Sequence, residues 1–299
     1  MLPPNVVSRT PGVASRRDVG AATRYRAVMF GPHDGTRVSV HPYRRMMLFL
    51  MRGRNESAVY FEHQLDLSKT LPWLAAYNAR SASKATLFHL VLHALASILH
   101  DRERLNRFTV GRRTYQRKHV FLSFAAKKAM ADDAPLATIK RRFDKAESFD
   151  TLVGELANHV GDARAAKPSA MDKELKILLA LPGFLLAFLI GVLRWLYAWG
   201  LAPRSLVDTD PLYTSAFVAN LGSIKIDAAF HHLYEHGNCP LFMTIGQVDA
   251  QQRLLLRFTF DERVEDGLYC AKTLQLLKQR IEDPAAWLTE NLGRRVDAG

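Results

Sequence analysis

Four acidic residues crowd one short turn near the end of this 299-residue chain. The stretch FTFDERVEDGLYCAKTL, residues 258–274, predicts a β-strand, a tight turn at Asp266-Gly267 and the first turns of a helix. A strand that leads polar side chains into such a turn can present them to a substrate, where carboxylates take part in proton transfer. The turn contains no histidine, and its acids are Asp261, Glu262, Glu265 and Asp266.

Histidines form a second group that could do chemistry. The segment IDAAFHHLYEHG, residues 226–237, contains His231 and His232. Imidazole accepts and returns protons near neutral pH, so either residue would suit general-base catalysis. If one of them reached Glu262, the pair would act as a base and its orienting carboxylate. The alternative is that these histidines only pack.

The sequence predicts no metal site. His89 and His93 lie one helical turn apart, as zinc ligands often do, but no third ligand follows at a useful interval. Cys239 and Cys270 are far apart and fit no metal-ligand spacing. Two free thiols indicate a reducing compartment, which predicts a cytoplasmic protein.

The composition indicates a folded, basic protein. Hydrophobic residues make up 48% of the chain and charged residues 23%, as in ordinary globular domains. Lysine and arginine total 41 against 29 acidic residues, a net charge of +12, which favours anionic partners. Zinc-finger spacing, RNA-binding aromatic motifs and a base-reading basic helix are all missing from the sequence, so nucleic acid is not an expected partner.

The remaining elements mix strands and helices around a predicted mixed sheet. Residues 1–41 are rich in Pro, Gly, Ser and Arg and predict a flexible basic arm without a secretory signal, followed by one folded domain over 42–299. A strong helix is expected from Ser83, which we predict to be its N-cap. The other predicted elements are helices over 43–51, 149–166 and 268–282, and strands over 58–67, 119–126, 135–139, 215–222, 240–248 and 253–260.

One apolar segment interrupts this pattern. Residues 176–204 are almost uncharged apart from Arg194, and Pro182-Gly183 would kink or break a helix there. Aromatic residues gather at its far end, as they do at membrane interfaces. Three interpretations stay open: a membrane span, a monotopic insertion into one leaflet, or a helix buried against the domain or a sister subunit. The aromatic residues are Trp195, Tyr197 and Trp199.

With these elements placed, the chain resembles the catalytic domain of the 2-oxo acid dehydrogenase acyltransferases, which share a fold with chloramphenicol acetyltransferase. The resemblance spans residues 43–288 apart from an apolar helical insertion at 173–204. It implies a two-layer α/β fold with a mixed sheet and packed helices. The motifs that carry it are Arg44-Arg45, Leu105-Asn106, Asn220-Leu221-Gly222, the run Asp261 to Gly267, and Glu282-Asp283-Pro284.

Two departures from the family pattern affect the predicted chemistry. Where the family has its general-base histidine, this chain has Glu262, and a solvated glutamate with a pKa of about 4.3 is a weak base towards a thiol of about 8.5. Burial in an apolar channel would make such a carboxylate more useful. Ala219 replaces the serine or threonine that stabilises the oxyanion, a loss of about 3 kcal/mol of transition-state stabilisation.

The predicted function is a stand-alone acyltransferase that takes an acyl group from a coenzyme A or carrier-protein thioester and passes it to an acceptor that could be lipid-associated. The alternative is a catalytically inactive scaffold or partner protein with the same fold. The resemblance assigns no bound cofactor. The candidate catalytic residues are Glu262, Asp266, His231 and His232, and the candidate substrate-binding residues are Asn220, Gly222 and Arg263.

The resemblance also predicts the partners. Family members act as trimers with active sites between subunits, so a homotrimer is expected here, with an acyl carrier protein and a membrane surface at 176–204 as further partners. Lys145 lacks the hairpin domain of a lipoyl attachment site, so we expect none, nor assembly into a dehydrogenase complex. A basic group either attracts the phosphates of an acyl donor or is a solvated loop: Arg112, Arg113, Arg117 and Lys118.

Overall fold

The computed structural model describes residues 31–127, 136–156 and 179–289. Its main element is a six-stranded mixed sheet with strand order β2-β9-β8-β7-β5-β6. Strands β5, β7 and β8 run parallel to one another, and the other neighbours are antiparallel. The strands are β2 (Ala58–Asp66), β5 (Val120–Lys127), β6 (Leu136–Phe143), β7 (Ala216–Asn220), β8 (Leu241–Val248) and β9 (Arg253–Asp261).

Helices cover one face of this sheet and enclose the main core. They are α2 (Thr70–Arg80), α3 (Leu87–Asp101) and α6 (Gly267–Glu282). Strand β9 shows how the sequence builds the layer, because its alternate side chains point inward and pack beneath α3 and α6. Each such side chain contributes about 1.5–3 kcal/mol when it is buried. The inward residues of β9 are Leu254, Leu256, Phe258 and Phe260.

Helix α3 begins later than the sequence predicted. Thr86 is its N-cap, and the Thr86 and His89 side chains form a reciprocal capping box with the backbone. The prediction of Ser83 as the cap was therefore wrong by one turn. Helix α2 was not predicted, because Pro72 in its first turn weakens the helical pattern even though proline is tolerated there. The predicted helix over 149–166 is helical through residue 156, and its remainder lies outside the described residues.

A small antiparallel sheet with order β1-β4-β3 forms a second packing unit. Because β1 (Gly35–Arg37) pairs with β4 (Arg113–Arg117), residues 31–41 belong to the packed fold rather than to the predicted flexible arm. Residues 1–30 of that arm lie outside the described residues. Strand β3 (Arg107–Val110) completes the sheet through a tight turn at Gly111.

The apolar segment forms helix α4 (Gly183–Trp199). Pro182 is the N-cap residue of this helix and residues 180–182 are not helical, so the chain is interrupted at Pro182-Gly183 rather than kinked. Gly200 ends the helix in the left-handed conformation. Among the described residues, no helix has the combination of length and apolar character that crossing a bilayer requires. Residues 173–178 of the predicted insertion lie outside the described residues. Two short helices complete the fold: α5 (Arg204–Thr209) follows α4, and α1 (Pro42–Leu50) follows β1.

The C-terminal half of α4 is packed and its N-terminal half is not. Tyr197 is buried with Phe108, Tyr115 and Tyr213 in a small core against the β1-β4-β3 sheet. Towards the other end, Phe184 is 79% exposed and large apolar side chains point to solvent. The interpretation of this segment as a helix buried against its own domain therefore fits only about half of the length of α4. The other exposed residues of α4 are Phe188, Leu189, Ile190, Val192, Trp195 and Trp199.

Candidate functional site

The turn between β9 and α6 is built around a buried ion pair. Asp261 is only 1% exposed. Its Oδ1 accepts hydrogen bonds from Ser57 Oγ at 2.9 Å and from Arg263 Nε at 2.9 Å, and its Oδ2 accepts from Arg263 Nη2 at 2.8 Å. Arg263 therefore pairs with Asp261. A bidentate contact of this kind fixes the direction of the turn.

Glu262 follows this pair at the end of β9. Its backbone N–H donates to the Ser57 carbonyl at 2.9 Å, which anchors the residue through its main chain. Its side chain is half-buried. Within residues 31–127, 136–156 and 179–289, no hydrogen bond or ion pair engages the Glu262 carboxylate. The main chain of Glu262 is thus anchored, while its carboxylate has no hydrogen-bond or ion-pair partner among the described residues.

Asp266 has a structural role in the turn. It is the N-cap of α6, and its Oδ1 accepts the Tyr269 backbone N–H at 2.7 Å. This hydrogen bond lowers the pKa of the Asp266 carboxyl, so the group stays ionised at neutral pH. An ionised acid at a helix N-terminus also interacts favourably with the helix dipole. Gly267 meets no atom where a β-carbon would lie, so close packing does not require its glycine.

Glu265 is the feature of this turn that the sequence did not identify. Its side chain is 6% exposed, and three arginines surround it. Arg107 Nη1 donates to its Oε2 at 3.2 Å, Arg104 Nε lies 3.4 Å from the same oxygen, and Arg44 Nη2 lies 3.9 Å from Oε1. One carboxylate thus joins α1, the start of β3 and the turn. Arg44 lies 60 residues before Arg104, and Glu265 lies more than 150 residues after all three arginines, so no local pattern indicated the cluster.

His231 and His232 lie on the sheet face opposite the helices. The His231 ring stacks on Phe242 with ring centroids 3.8 Å apart, and Phe242 stacks in turn on Phe217. Partial burial lowers the pKa of His231, so its imidazole is neutral near pH 7. Its Nδ1 pairs with the His232 carbonyl, and His232 Nδ1 pairs with the Leu233 carbonyl. Within the described part of the chain, neither imidazole hydrogen bonds to Glu262.

Asn220 and Gly222 shape the end of β7. Asn220 Oδ1 accepts the Ser223 backbone N–H at 3.2 Å and starts a short 3-10 turn. A β-carbon on Gly222 would lie 2.2 Å from the Gly246 carbonyl oxygen, so only glycine allows this turn to pack against β8. Ala219, before Asn220, pairs with Thr244 in the sheet register. These contacts give Asn220 and Gly222, two of the three predicted substrate-binding residues, a local structural role.

The sheet register separates the two halves of the predicted site. Phe260 of β9 pairs with Leu241, so Glu262 lies level with Cys239 at the start of β8. Asn220 pairs with Ile245. The two positions are therefore six residues apart along the direction of β8, which corresponds to about 20 Å. A single chain therefore does not bring Glu262 and Asn220 into one site.

Of the four residues in the predicted basic group, two are engaged within the fold and two are exposed. Arg117 is buried and pairs with Asp34 at 2.9 Å, while Lys118 Nζ donates to the His33 carbonyl. Arg112 and Arg113 are exposed on the turn between β3 and β4. Among the described residues, no group of three or more His, Cys, Asp or Glu side chains is placed to hold a metal ion.

Comparison with solved structures decides the fold. The cubic core of the pyruvate dehydrogenase multienzyme complex aligns with a TM-score of 0.55 at 17% identity, covering 82% of this chain and 87% of that one. Dihydrolipoamide acetyltransferase of Azotobacter vinelandii aligns with a TM-score of 0.55 at 18% identity, with the same coverage of 82% and 87%. The chain has the chloramphenicol acetyltransferase-like fold.

Chloramphenicol acetyltransferase itself aligns with a TM-score of 0.50 at 12% identity over 81% of this chain and 95% of its own. The predicted resemblance and fold class are thus confirmed. No protein-family model matches the sequence, and no curated protein matches it. At these identities the chloramphenicol acetyltransferase-like fold is established, and the activity has to be argued from the site.

Proposed function

We propose that this protein is an acyltransferase that uses an acyl thioester donor, with Glu262 handling the proton of the acceptor. The observation that carries the proposal is the position of Glu262 within an acyltransferase-like fold. Its backbone is fixed at the end of β9 beside the buried Asp261–Arg263 pair, while no side chain among the described residues hydrogen bonds or forms an ion pair with its carboxylate. An unpaired carboxylate on an anchored main chain suits proton transfer better than a structural role.

The proposed reaction is an acyl transfer through a tetrahedral intermediate. The acceptor heteroatom attacks the thioester carbonyl and gives its proton to the Glu262 carboxylate. When the intermediate collapses, the carbon–sulfur bond breaks and the proton passes to the leaving thiolate. His231, neutral near pH 7, would act with Glu262 only if a second chain brought the two together, because they do not pair within one chain.

A homotrimer fits this proposal because each chain contributes only part of the site. Glu262 and Asn220 lie at opposite ends of the sheet, about 20 Å apart along the strands. Packing the Glu262 end of one copy against the Asn220 end of another would assemble both in one channel. An acyl carrier protein as donor also remains part of this proposal, which the net charge of +12 favours.

Glu262→Gln tests the proposed proton transfer. With radiolabelled acyl-CoA donors and extracted lipid as acceptor, we expect the variant to lose about 100-fold or more in kcat/KM, the usual contribution of a general base. Glu103→Gln, an exposed acid on another element, is the matched control and should keep full activity. Transfer that is unchanged in Glu262→Gln would remove Glu262 from the mechanism.

An inactive scaffold is the second candidate function. Two observations favour it: Glu262 has no imidazole partner in the described chain, and Ala219 supplies no oxyanion hydroxyl. If the wild-type protein transfers no acyl group from any acyl-CoA tested, while it still binds a partner through this fold, the scaffold function replaces the acyltransferase.

We also propose that helix α4 docks at a lipid surface as a monotopic element. Its N-terminal half exposes large apolar side chains, of which Phe184 and Phe188 are 79% and 65% exposed. Soluble monomers rarely leave a contiguous apolar patch of this kind in water. An acceptor embedded in lipid would then lie near the fold. Burial of α4 against another copy is the competing explanation.

The double variant Phe184→Ser/Phe188→Ser tests lipid docking. Each buried phenylalanine contributes about 1.5–3 kcal/mol, so we expect the variant to lose vesicle binding in flotation assays by about 100-fold or more. The control Leu268→Ser/Leu276→Ser changes two exposed apolar residues of α6 and should float as the wild type does. If the wild-type protein does not float with the vesicles, or if the double variant changes only the oligomeric state, burial of α4 against another copy is favoured instead.

A further inference from the structure

Two adjoining clefts beside α4 contain most of the exposed arginines in this region. The first, of about 510 Å³, lies between α1, α4 and the turn joining β3 to β4. The second, of about 750 Å³, lies on the other side of Phe49, between α1, the same turn and the chain after β1. Leu48, Phe49, Gly111 and Arg112 line both. We refer to the pair as the arginine clefts.

Positive charge in the arginine clefts is almost uncompensated. The single acid in their lining, Glu235, is engaged by the backbone N–H and side chain of Asn55. Arg263 is paired with Asp261, and buried Arg54 donates to three carbonyl groups. The other arginines are exposed and have no acidic partner among the described residues: Arg37, Arg45, Arg52, Arg112, Arg113 and Arg194.

Arg112 is positioned at the boundary of the two clefts by an unusual backbone. Gly111 and Arg112 both have positive φ, 55° and 58°, which makes a tight turn suited to a β-hairpin. For arginine this left-handed conformation is strained by about 1 kcal/mol. Its guanidinium lies 5.0 Å from the ring centroid of Phe49. The planar guanidinium suits bidentate binding of phosphate oxygens.

Exposed apolar side chains border the clefts on both sides. Trp195 of α4 lines the first cleft and is 57% exposed, next to the unpacked half of that helix. Helix α1 also leaves large apolar residues in solvent, although it carries Arg44 and Arg45 between them. Basic side chains beside exposed apolar ones are the pattern of helices that lie in a membrane interface. The exposed residues of α1 are Tyr43, Met46, Phe49 and Leu50.

We propose that the arginine clefts bind the phosphate of an anionic phospholipid, whose acyl chains lie against α1 and α4. This inference rests on the proposed docking of α4 at a lipid surface and does not depend on acyl transfer. The guanidinium groups of Arg52, Arg112 and Arg194 contact the phosphate in the first cleft. The apolar side chains of α1 and α4 contact the acyl chains of the lipid. Because the arginines bind the phosphate, the protein binds an anionic membrane more tightly than a neutral one.

Arg52→Gln/Arg112→Gln tests the proposed site. Wild-type protein should bind vesicles of phosphatidylcholine with phosphatidic acid more tightly than vesicles of phosphatidylcholine alone. The variant should lose about 25-fold in binding to the anionic vesicles, because each arginine near an anionic surface is worth about fivefold. It should keep the binding to phosphatidylcholine. Lys145→Gln/Lys272→Gln, which removes the same charge from exposed positions outside the clefts, should change anionic binding by at most about threefold.

Soluble probes separate a lipid from a free phosphate compound. Glycerol 1-phosphate and short-chain phosphatidic acid below its micelle concentration are titrated against the fluorescence of Trp195, with Trp195→Phe as the blank. We expect the short-chain lipid to bind and glycerol 1-phosphate to bind at least about 100-fold more weakly, since it lacks the apolar contacts. Equal affinities for the two probes would mean that the clefts bind a free organophosphate rather than a lipid, which would overturn the proposal.

The outcomes also distinguish this inference from lipid docking itself. If the arginine variant keeps the wild-type preference for anionic vesicles, with unchanged thermal unfolding, the clefts do not bind the headgroup. If wild-type protein binds both kinds of vesicle equally, the cleft inference fails while docking of α4 stands. If it binds neither, both fail, and the proposed acyl transfer is unaffected.

Discussion

Asp34→Ala is expected to destabilise the protein by about 4 kcal/mol, the largest effect of any single substitution considered. Asp34 is the counter-ion of Arg117, whose side chain is 1% exposed. Removing the acid leaves a guanidinium buried without compensating charge, which typically costs 3–5 kcal/mol. Arg117 keeps its contacts to the Thr214 carbonyl and to Asn238, so the fold should survive with reduced stability.

The same substitution should loosen helix α4. Asp34 Oδ1 accepts the Tyr197 hydroxyl at 2.9 Å, and Oδ2 accepts Asn238 Nδ2 at 2.8 Å. Burial and the neighbouring Asp34 charge raise the pKa of Tyr197 well above its usual value, so its hydroxyl stays a donor at all moderate pH values. Without Asp34 this buried donor loses its acceptor, and the contact between α4 and the small sheet weakens.

Denaturant unfolding and hydrogen exchange measure the two effects of Asp34→Ala. The unfolding midpoint should fall, and amides of α4 should exchange faster than those of α3. Asp208→Ala is the control, because its carboxylate is 64% exposed and its one ion-pair partner among the described residues is His33. A loss below about 1 kcal/mol for Asp34→Ala, no larger than for the control, would show that Arg117 is stable without this counter-ion.

Glu265→Gln is expected to cost about 3 kcal/mol of stability, while Glu262→Gln, three residues earlier, should cost less than about 0.5 kcal/mol. The two residues share one turn but differ in their surroundings. Glu265 is 6% exposed among three arginines, whereas Glu262 is half-buried with no described side-chain partner. Glutamine keeps the shape of Glu265 but removes the charge that holds the arginines together.

Thermal unfolding provides the measurement for this pair. A loss of about 3 kcal/mol corresponds to a fall in Tm of about 6–12 °C for a chain of this size. The effect should be smaller than that of a fully buried charge cluster, because Arg104 is 48% exposed and partly solvated. Equal Tm values for the two variants would mean that the arginines around Glu265 are solvated well enough to stand without it.

Much of the fold followed from local sequence patterns. The alternation in β9 and β2 and the helical spacing in α3 placed these elements to within a few residues. The small sheet and α2 were missed. Strands of three to five residues carry too little periodicity, and Pro72 masks the start of α2. Such elements form because the tertiary structure pairs and buries them.

The candidate site was predictable only in its residue types. The position of Glu262 at the end of a strand and the Asp266 turn could be inferred from spacing. The partner of Arg263 could not, because Asp261 lies two residues before it and Asp266 three residues after it, and only the side-chain geometry selects Asp261. That His231 stacks on Phe242, away from Glu262, depends on how residues 221–240 cross the sheet.

The motifs in the sequence carried the resemblance that implied the acyltransferase-like fold and revealed Glu262 where that family has histidine. The sequence by itself also determined the apolar character of α4, because this depends only on residue identity. Only the tertiary structure decided that Glu265 gathers three distant arginines, that Glu262 and Asn220 stand at opposite ends of one sheet, and that α4 is packed over half its length. Sheet register and long-range charge pairing bring together residues that are more than a hundred positions apart. No local pattern specifies such contacts, since they are fixed by the packing of the whole chain.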